Sequence, residues 1–179
     1  MLTIDNTALI IIDAQEKLFR VIDNKEALLE NLQKIISGAR ALGIPILVTE
    51  QNPAGLGATV PELKNLLADI QPISKFSFSC CGEERCMEEL SSLKRTQLLL
   101  AGIETHICVY QTALDLLDQG YEVEVLADCV GSRTVENKSL GLEKMKQAGA
   151  QITGIEMALF ELQRVAKGEA FKELSRLVK

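Results

Sequence analysis

The sequence predicts a three-layer α/β/α fold built on a six-stranded, mostly parallel sheet. Short apolar runs without polar alternation suggest strands buried on both faces, and stretches of helical period separate them. This alternation implies parallel strands joined by crossover helices on both sides of the sheet. The 179 residues show no internal repeat, low-complexity segment or second block of composition. They suit one domain spanning residues 1–179, since single cores run to roughly 100–200 residues.

The first strand is Ala8 to Ile12, a continuous apolar run ended by Asp13. From Asn24 to Leu42, Leu28, Leu29, Leu32, Ile35, Ile36, Ala39 and Leu42 recur at helical spacing. Asp23 and Glu26 are a candidate cap pair for this helix, and Gly43 is its stop. Ile44 to Thr49 gives the second strand, and Thr59 to Asp69 a helix entered at Pro61, near a first-turn position. Ile73 to Phe78 reads as a third strand, Glu83 to Ser92 as a helix, and Thr96 to Gly102 as a strongly apolar fourth strand. A helix over 105–119 ends at Gly120. Tyr121 to Ala127 is strand five, Glu136 to Ala148 a helix closed by Gly149, Gln151 to Met157 strand six, and Glu169 to Val178 the last helix.

Composition narrows the classes of function. With 47% hydrophobic and 25% charged residues and a mean hydropathy of +0.13, the chain reads as an ordinary globular protein. Its net charge is −6, and Lys and Arg are scattered rather than gathered into a stripe, so nucleic acid is not an expected partner. The first residues, MLTIDNTALIIIDAQ, contain no basic leader, and no apolar run approaches the ~20 residues that span a bilayer. A cytoplasmic protein without membrane partners is expected, with its five cysteines kept reduced. GLG at 55–57 is not a dinucleotide fingerprint and no phosphate loop is present, so no cofactor is implied.

Ligands of open α/β sheets bind beyond the carboxyl ends of the strands, which makes the polar residues there the ones to inspect. Strand one delivers Asp13, strand two Glu50 and Gln51, strand three Lys75, and strand four the turn Gly102 to Cys108. An acid, an amine and a thiol can meet at that edge. Taken singly, each has a plain structural explanation: a buried small side chain for Cys108, a turn or cap carboxylate for Asp13, a snorkelling amine for Lys75. Those explanations do not account for the set. His106 is a poor base for Cys108, because residues two apart on a helix point about 200° from one another. If Thr105 is the N-cap, Cys108 lies in a first helical turn, where free N–H groups and the dipole favour a thiolate.

Phe19, Gln51 and Phe76 are candidate pocket residues, with a core role equally open for the two phenylalanines. SCCGEERC sets Cys80, Cys81 and Cys86 close together, but the spacing does not match a paired C-x₂-C zinc site and no fourth ligand is evident. Cys129, after the apolar YEVEVLA run, is most simply packing.

With these residues in hand, the chain resembles the isochorismatase-like cysteine hydrolases, a superfamily that includes nicotinamidases and N-carbamoylsarcosine amidases. The likeness rests on ALIIIDAQ, IPILVTEQNPAGLGATVPEL, ISKFSFSC and LLLAGIETHICVYQTALDLLDQGYEV in that order, with LFEL at 159–162, and covers nearly the whole chain. The resemblance implies a catalytic triad of Asp13, Lys75 and Cys108. It also implies a cis peptide between Ile103 and Glu104, and an oxyanion hole formed by the N–H groups of Glu104 and Cys108. The expected reaction is hydrolysis of a small amide, carbamoyl or related C–N bond through a thioester. Metal-dependent nicotinamidases carry an Asp and histidines after strand two and in the following loop; this chain has Glu50 and Gln51 there and no histidine before His106, so no metal is expected. Isochorismatase itself lacks a cysteine at the nucleophile position, so Cys108 points toward acyl transfer rather than vinyl-ether hydrolysis. The resemblance implies a homo-oligomer. A second class stays open, a binding or scaffold protein that keeps the fold without turnover.

Overall fold

The structure is a computed structural model describing residues 1–179. The apolar runs become strands β1 (Thr7–Ile12), β2 (Ile46–Gln51), β3 (Ile73–Lys75), β4 (Gln97–Ile103), β5 (Glu122–Gly131) and β6 (Gln151–Thr153). They form one sheet of order β3-β2-β1-β4-β5-β6 in which every neighbouring pair is parallel. The two central strands, β1 and β4, are buried along their whole length, which is why they read as unbroken apolar runs.

Alternate residues of each strand serve opposite faces. Leu9 and Ile11 join Leu99, Ala101 and Ile103 in the core beneath α2 (Lys25–Ala41), α8 (Ile155–Gln163) and α9 (Glu169–Leu177). Ala8, Ile10 and Ile12 join Leu98 and Leu100 in the core beneath α5 (Glu84–Leu93), α6 (Tyr110–Asp118) and α7 (Val135–Gln147). No helix is long and apolar enough to cross a membrane. Three one-turn helices, α1 (Glu16–Phe19), α3 (Pro53–Leu56) and α4 (Pro61–Lys64), lie in the connections after β1 and β2.

Several elements depart from expectation for identifiable reasons. The Asp23 and Glu26 cap pair is not made. Asn24 precedes α2 in the left-handed region, at φ 49°, with no side-chain cap bond, and the Asp23 N–H donates to Ser132 O instead. The helix expected over 59–69 is α4 followed by a short 3₁₀ turn, Asn65–Leu67. Strand β3 stops at Lys75 instead of Phe78, because the backbone beyond it turns to present carbonyls to the Lys75 ammonium. The expected strand through Met157 ends at Thr153, and Ile155 opens α8 with its N–H donated to the Asp128 carboxylate. A carboxylate at a helix N-terminus satisfies one of the free donors there. The expected helix 105–119 is two segments: a π-helical turn, Thr105–Val109, and then α6.

The central strands approach most closely where they end. Ile12 pairs with Gly102, which has φ +117°, and a Cβ at that glycine would lie 2.0 Å from Ile12 O. Neither the space nor the backbone conformation admits a side chain. Gly102→Ala is therefore expected to destabilise the fold by more than about 4 kcal/mol, or to leave it insoluble, as read by denaturant unfolding. A loss under about 1 kcal/mol would show that the strand ends can separate.

Candidate active site

The residues singled out at the strand ends converge where β1, the central strand, lies between β2 and β4. Asp13 follows the last residue of β1 with φ 50° and is fully buried. Its N–H donates to Thr49 O, which ties the end of β1 to β2. Its two carboxylate oxygens have separate partners: Oδ1 accepts from Thr49 Oγ1 at 2.8 Å and Oδ2 from Lys75 Nζ at 2.7 Å.

Lys75 is the last residue of β3 and is also completely buried. An ammonium there needs charge compensation and acceptors for its protons. Besides Asp13, its Nζ donates to Gln51 Oε1 at 2.8 Å, Phe78 O at 2.9 Å and Ser77 O at 3.2 Å. Gln51 in turn donates from Nε2 to Phe76 O at 2.7 Å, so it holds both the ammonium and the loop that encloses it.

Gln15, two residues after Asp13 and fully buried, fixes the Gln51 backbone. Its Oε1 accepts from Gln51 N at 2.6 Å, and its Nε2 donates to Gln51 O at 2.9 Å and to Gly57 O at 2.6 Å.

Cys108 is supplied by the π turn after β4 and is 5% exposed. Its thiol is pushed up to about 12, first by burial, then by the charge of Asp13 and its hydrogen bond, with Lys75 opposing. This reverses the expectation of a dipole-stabilised thiolate. Thr105 is not the N-cap: Glu104 holds that position, and the π turn replaces the α-helical first turn. A dry site beside a carboxylate holds the sulfur in its protonated form.

The peptide between Ile103 and Glu104 is cis. The Glu104 N–H finds no acceptor in the chain, while the Glu104 carboxylate, nearly buried, accepts from Arg133 Nε at 2.9 Å. Helix α7 presses on the same turn through Gly141, where a Cβ would come within 3.0 Å of His106 Cα and Thr105 O. One-turn π segments are frequent at functional sites. Here the segment carries the thiol and follows directly on the free N–H.

Not every candidate joins this group. His106 pairs through Nδ1 with Ser132 Oγ at 3.0 Å. Phe19, a candidate pocket residue, instead packs in the core beneath α2, the opposite face of the sheet from the cluster that contains Cys108. Phe76 reaches the site through its carbonyl, and its ring is 79% exposed. The residues that sequence reading missed are Thr49, Gln15, Arg133 and Gly141. The first two could have been noticed as polar side chains at the ends of otherwise apolar strand segments, whereas Arg133 and Gly141 lie far along the chain and carry no local signal.

The positions that would hold a nicotinamidase-type metal do not fit one. Glu50 Oε1 is occupied by Thr59 N and Oγ1, Gln51 by Lys75 and the Phe76 carbonyl, and no group of three or more His, Cys, Asp or Glu side chains is arranged for a metal ion.

A doubly covered parallel sheet with buried polar residues gathered at its central strand ends defines an α/β/α protein with its candidate site at the carboxyl edge of the sheet. The isochorismatase domain profile matches residues 7–157, and the chain belongs to the isochorismatase family. A protein of Phytophthora sojae described as a secreted isochorismatase effector is 38% identical over 97% of this chain and 85% of its own length. The structure described as the MAR1 ribonuclease of Caenorhabditis elegans superposes with a TM-score of 0.93 at 37% identity, covering 99% of this chain and 91% of that one. A product of Escherichia coli described as an octameric hydrolase of unknown specificity reaches a TM-score of 0.93 at 24% identity, covering 98% and 88%, a likeness of fold alone.

Two outcomes follow from the geometry. Lys75→Met would leave Asp13 as an uncompensated buried charge, and a loss of about 3–5 kcal/mol in denaturant unfolding is expected. For the thiol, iodoacetamide labelling of Cys108 should stay slow through neutral pH and accelerate only as pH rises toward 12. Asp13→Asn removes the negative charge and leaves the ammonium, so the acceleration should move to lower pH. An unchanged profile in that variant would mean that Asp13 does not govern the thiol.

Proposed function

We propose that this chain is a metal-independent cysteine hydrolase that cleaves a small amide, carbamoyl or related C–N bond, with Asp13, Lys75 and Cys108 as its catalytic residues. The observation that carries this reading is the fully buried ion pair of Asp13 and Lys75 at 2.7 Å, beside which burial and the Asp13 charge push the Cys108 thiol up.

Asp13 takes the thiol proton as the sulfur attacks the carbonyl carbon, so the thiolate exists only as it forms its bond. Lys75 is ion-paired with Asp13 beforehand and offsets the charge on sulfur during attack. The N–H groups of Glu104 and Cys108 receive the developing oxyanion; losing one such donor typically costs about 10²–10³ in rate. Asp13 then returns the proton to the departing ammonia or amine. Water, deprotonated by the same carboxylate, hydrolyses the thioester to release the acid.

The near-closure around Cys108 favours a small substrate. A polynucleotide, which the name of the C. elegans protein would suggest, is disfavoured by a net charge of −6 and by the burial of all three groups. Vinyl-ether hydrolysis, suggested by the name of the P. sojae relative, leaves the thiol without a task. We further infer a homo-oligomer, supported by the octameric neighbour and by the exposed rings of Phe76 and Phe78 beside the site. Five free thiols support a reducing, cytoplasmic setting.

The test is ammonia release from a panel of primary amides and N-carbamoyl compounds, with mass spectrometry of the stalled acyl-enzyme. For a substrate found in this way, Cys108→Ala should lower kcat by at least about 10³-fold and abolish the adduct. Exhaustive chelation should leave the rate unchanged. Turnover that survives in Cys108→Ala would remove the sulfur from the mechanism.

A further inference from the structure

A cavity of about 500 Å³ lies at the β6 edge of the sheet, between β5, β6 and α8, and shares no residue with the site around Cys108. Cavities of roughly 300–1,000 Å³ suit small molecules. Its charged side chains are of one sign. Strand β5 contributes Glu122 and Glu124 and helix α8 contributes Glu161, whereas no Lys or Arg lines the cavity. Leu117, Ile152 and Met157 supply apolar surface beside them.

Two of the carboxylates have donors within the chain: Glu161 Oε1 accepts from Leu2 N at 2.7 Å, and Glu122 Oε2 from Gln97 Nε2 at 3.0 Å. Glu124, half-buried, has none. Burial first, then the charge of Glu161, push its carboxyl up, and the Met1 amine opposes them only in part.

A second group in the cavity is also unanswered. Thr153, the last residue of β6, is 7% exposed, and its Oγ1 is buried without a hydrogen-bond partner, although buried hydroxyls are nearly always paired. Thr153 stands opposite Leu126 in the parallel register, and Glu124, two residues before Leu126, faces the same side of the sheet. Leu126 packs there with Leu159 and Leu162 of α8. The unpaired hydroxyl and the unpaired carboxylate therefore share the face that α8 covers.

We propose that this cavity binds a small primary alkylammonium ion, its three N–H donors met by Glu124, Glu161 and Thr153 Oγ1 and its chain laid on Ile152 and Met157. A primary ammonium carries three donors and no acceptor, which complements a set of acceptors that lack donors. The negative side chains compensate its charge and its donors answer the buried hydroxyl, which an uncharged alkyl group could not do. A metal ion fits less well, since the carboxylates are not arranged as a metal-binding group. The assignment is independent of the reaction proposed for Cys108.

Isothermal titration of the whole chain with pentylamine at neutral pH should show saturable binding with a Kd of about 1 mM or tighter. Pentanol, with the same chain and no charge, should not bind, and pentyltrimethylammonium, with the charge and no N–H donor, should bind at least about tenfold more weakly. Glu124→Gln should weaken pentylamine at least about tenfold and Thr153→Val several-fold. Neither substitution removes a hydrogen bond of the unliganded protein, so the Tm of both should match the wild type. If either fails to fold, Glu161→Gln, which keeps an oxygen for the Leu2 N–H, carries the same tenfold expectation. No saturable binding up to about 20 mM pentylamine, undiminished binding in the folded carboxamide variants, or equal binding of pentanol or pentyltrimethylammonium would overturn the assignment.

Discussion

The structure depends on one interaction above the others, the buried ion pair between Asp13 and Lys75. Two charges excluded from water are tolerated only when each is matched and its remaining hydrogen-bonding capacity is filled. That requirement dictates the surroundings. Thr49 must stand beside one oxygen of Asp13, Gln51 beside the ammonium, and the backbone after β3 must bend to offer the carbonyls of Ser77 and Phe78. Strand β3 is short for this reason, and Gln15 is buried because it holds Gln51 from below. The ends of three strands are thereby fixed by polar contacts, while the strands themselves are fixed by apolar ones.

The resting chemistry follows from the same pair. A thiol placed in a dry pocket next to a carboxylate keeps its proton, and a neighbouring cation reduces this effect without reversing it. Such a sulfur is protected from adventitious electrophiles in the absence of substrate. In the proposed reaction its activation coincides with bond formation, and the carboxylate that suppresses ionisation is the group that accepts the proton.

The sheet was legible in the sequence because burial on both faces leaves a local mark, the unbroken apolar runs of Ala8–Ile12 and Leu98–Ala101. Asp13, Lys75 and Cys108 were legible as polar residues at the ends of such runs, and their convergence follows from the strand order β3-β2-β1-β4. Local pattern could not reveal what long-range contacts decide. Ile155 begins a helix because Asp128, 27 positions earlier, meets its N–H. Asn24 starts α2 without the expected cap because the Asp23 backbone is engaged by Ser132. The state of Cys108 was misjudged for a related reason: a first helical turn predicts a dipole, but a π turn packed under Gly141 and closed off from solvent provides burial instead.

The enclosure of Lys75 has a consequence for how such a protein can diversify. Residues 77 and 78 hold the ammonium with their carbonyl oxygens, and the Phe76 carbonyl anchors Gln51, while the rings of Phe76 and Phe78 project outward. The main chain thus holds the charge pair and leaves the side chains of the same segment unconstrained by it. Exchanging those side chains alters what the rim of the site touches without disturbing the charge pair beneath. Under the proposed function, one fixed charge pair is in this way fitted to new molecules by changes at positions whose side chains do not touch it.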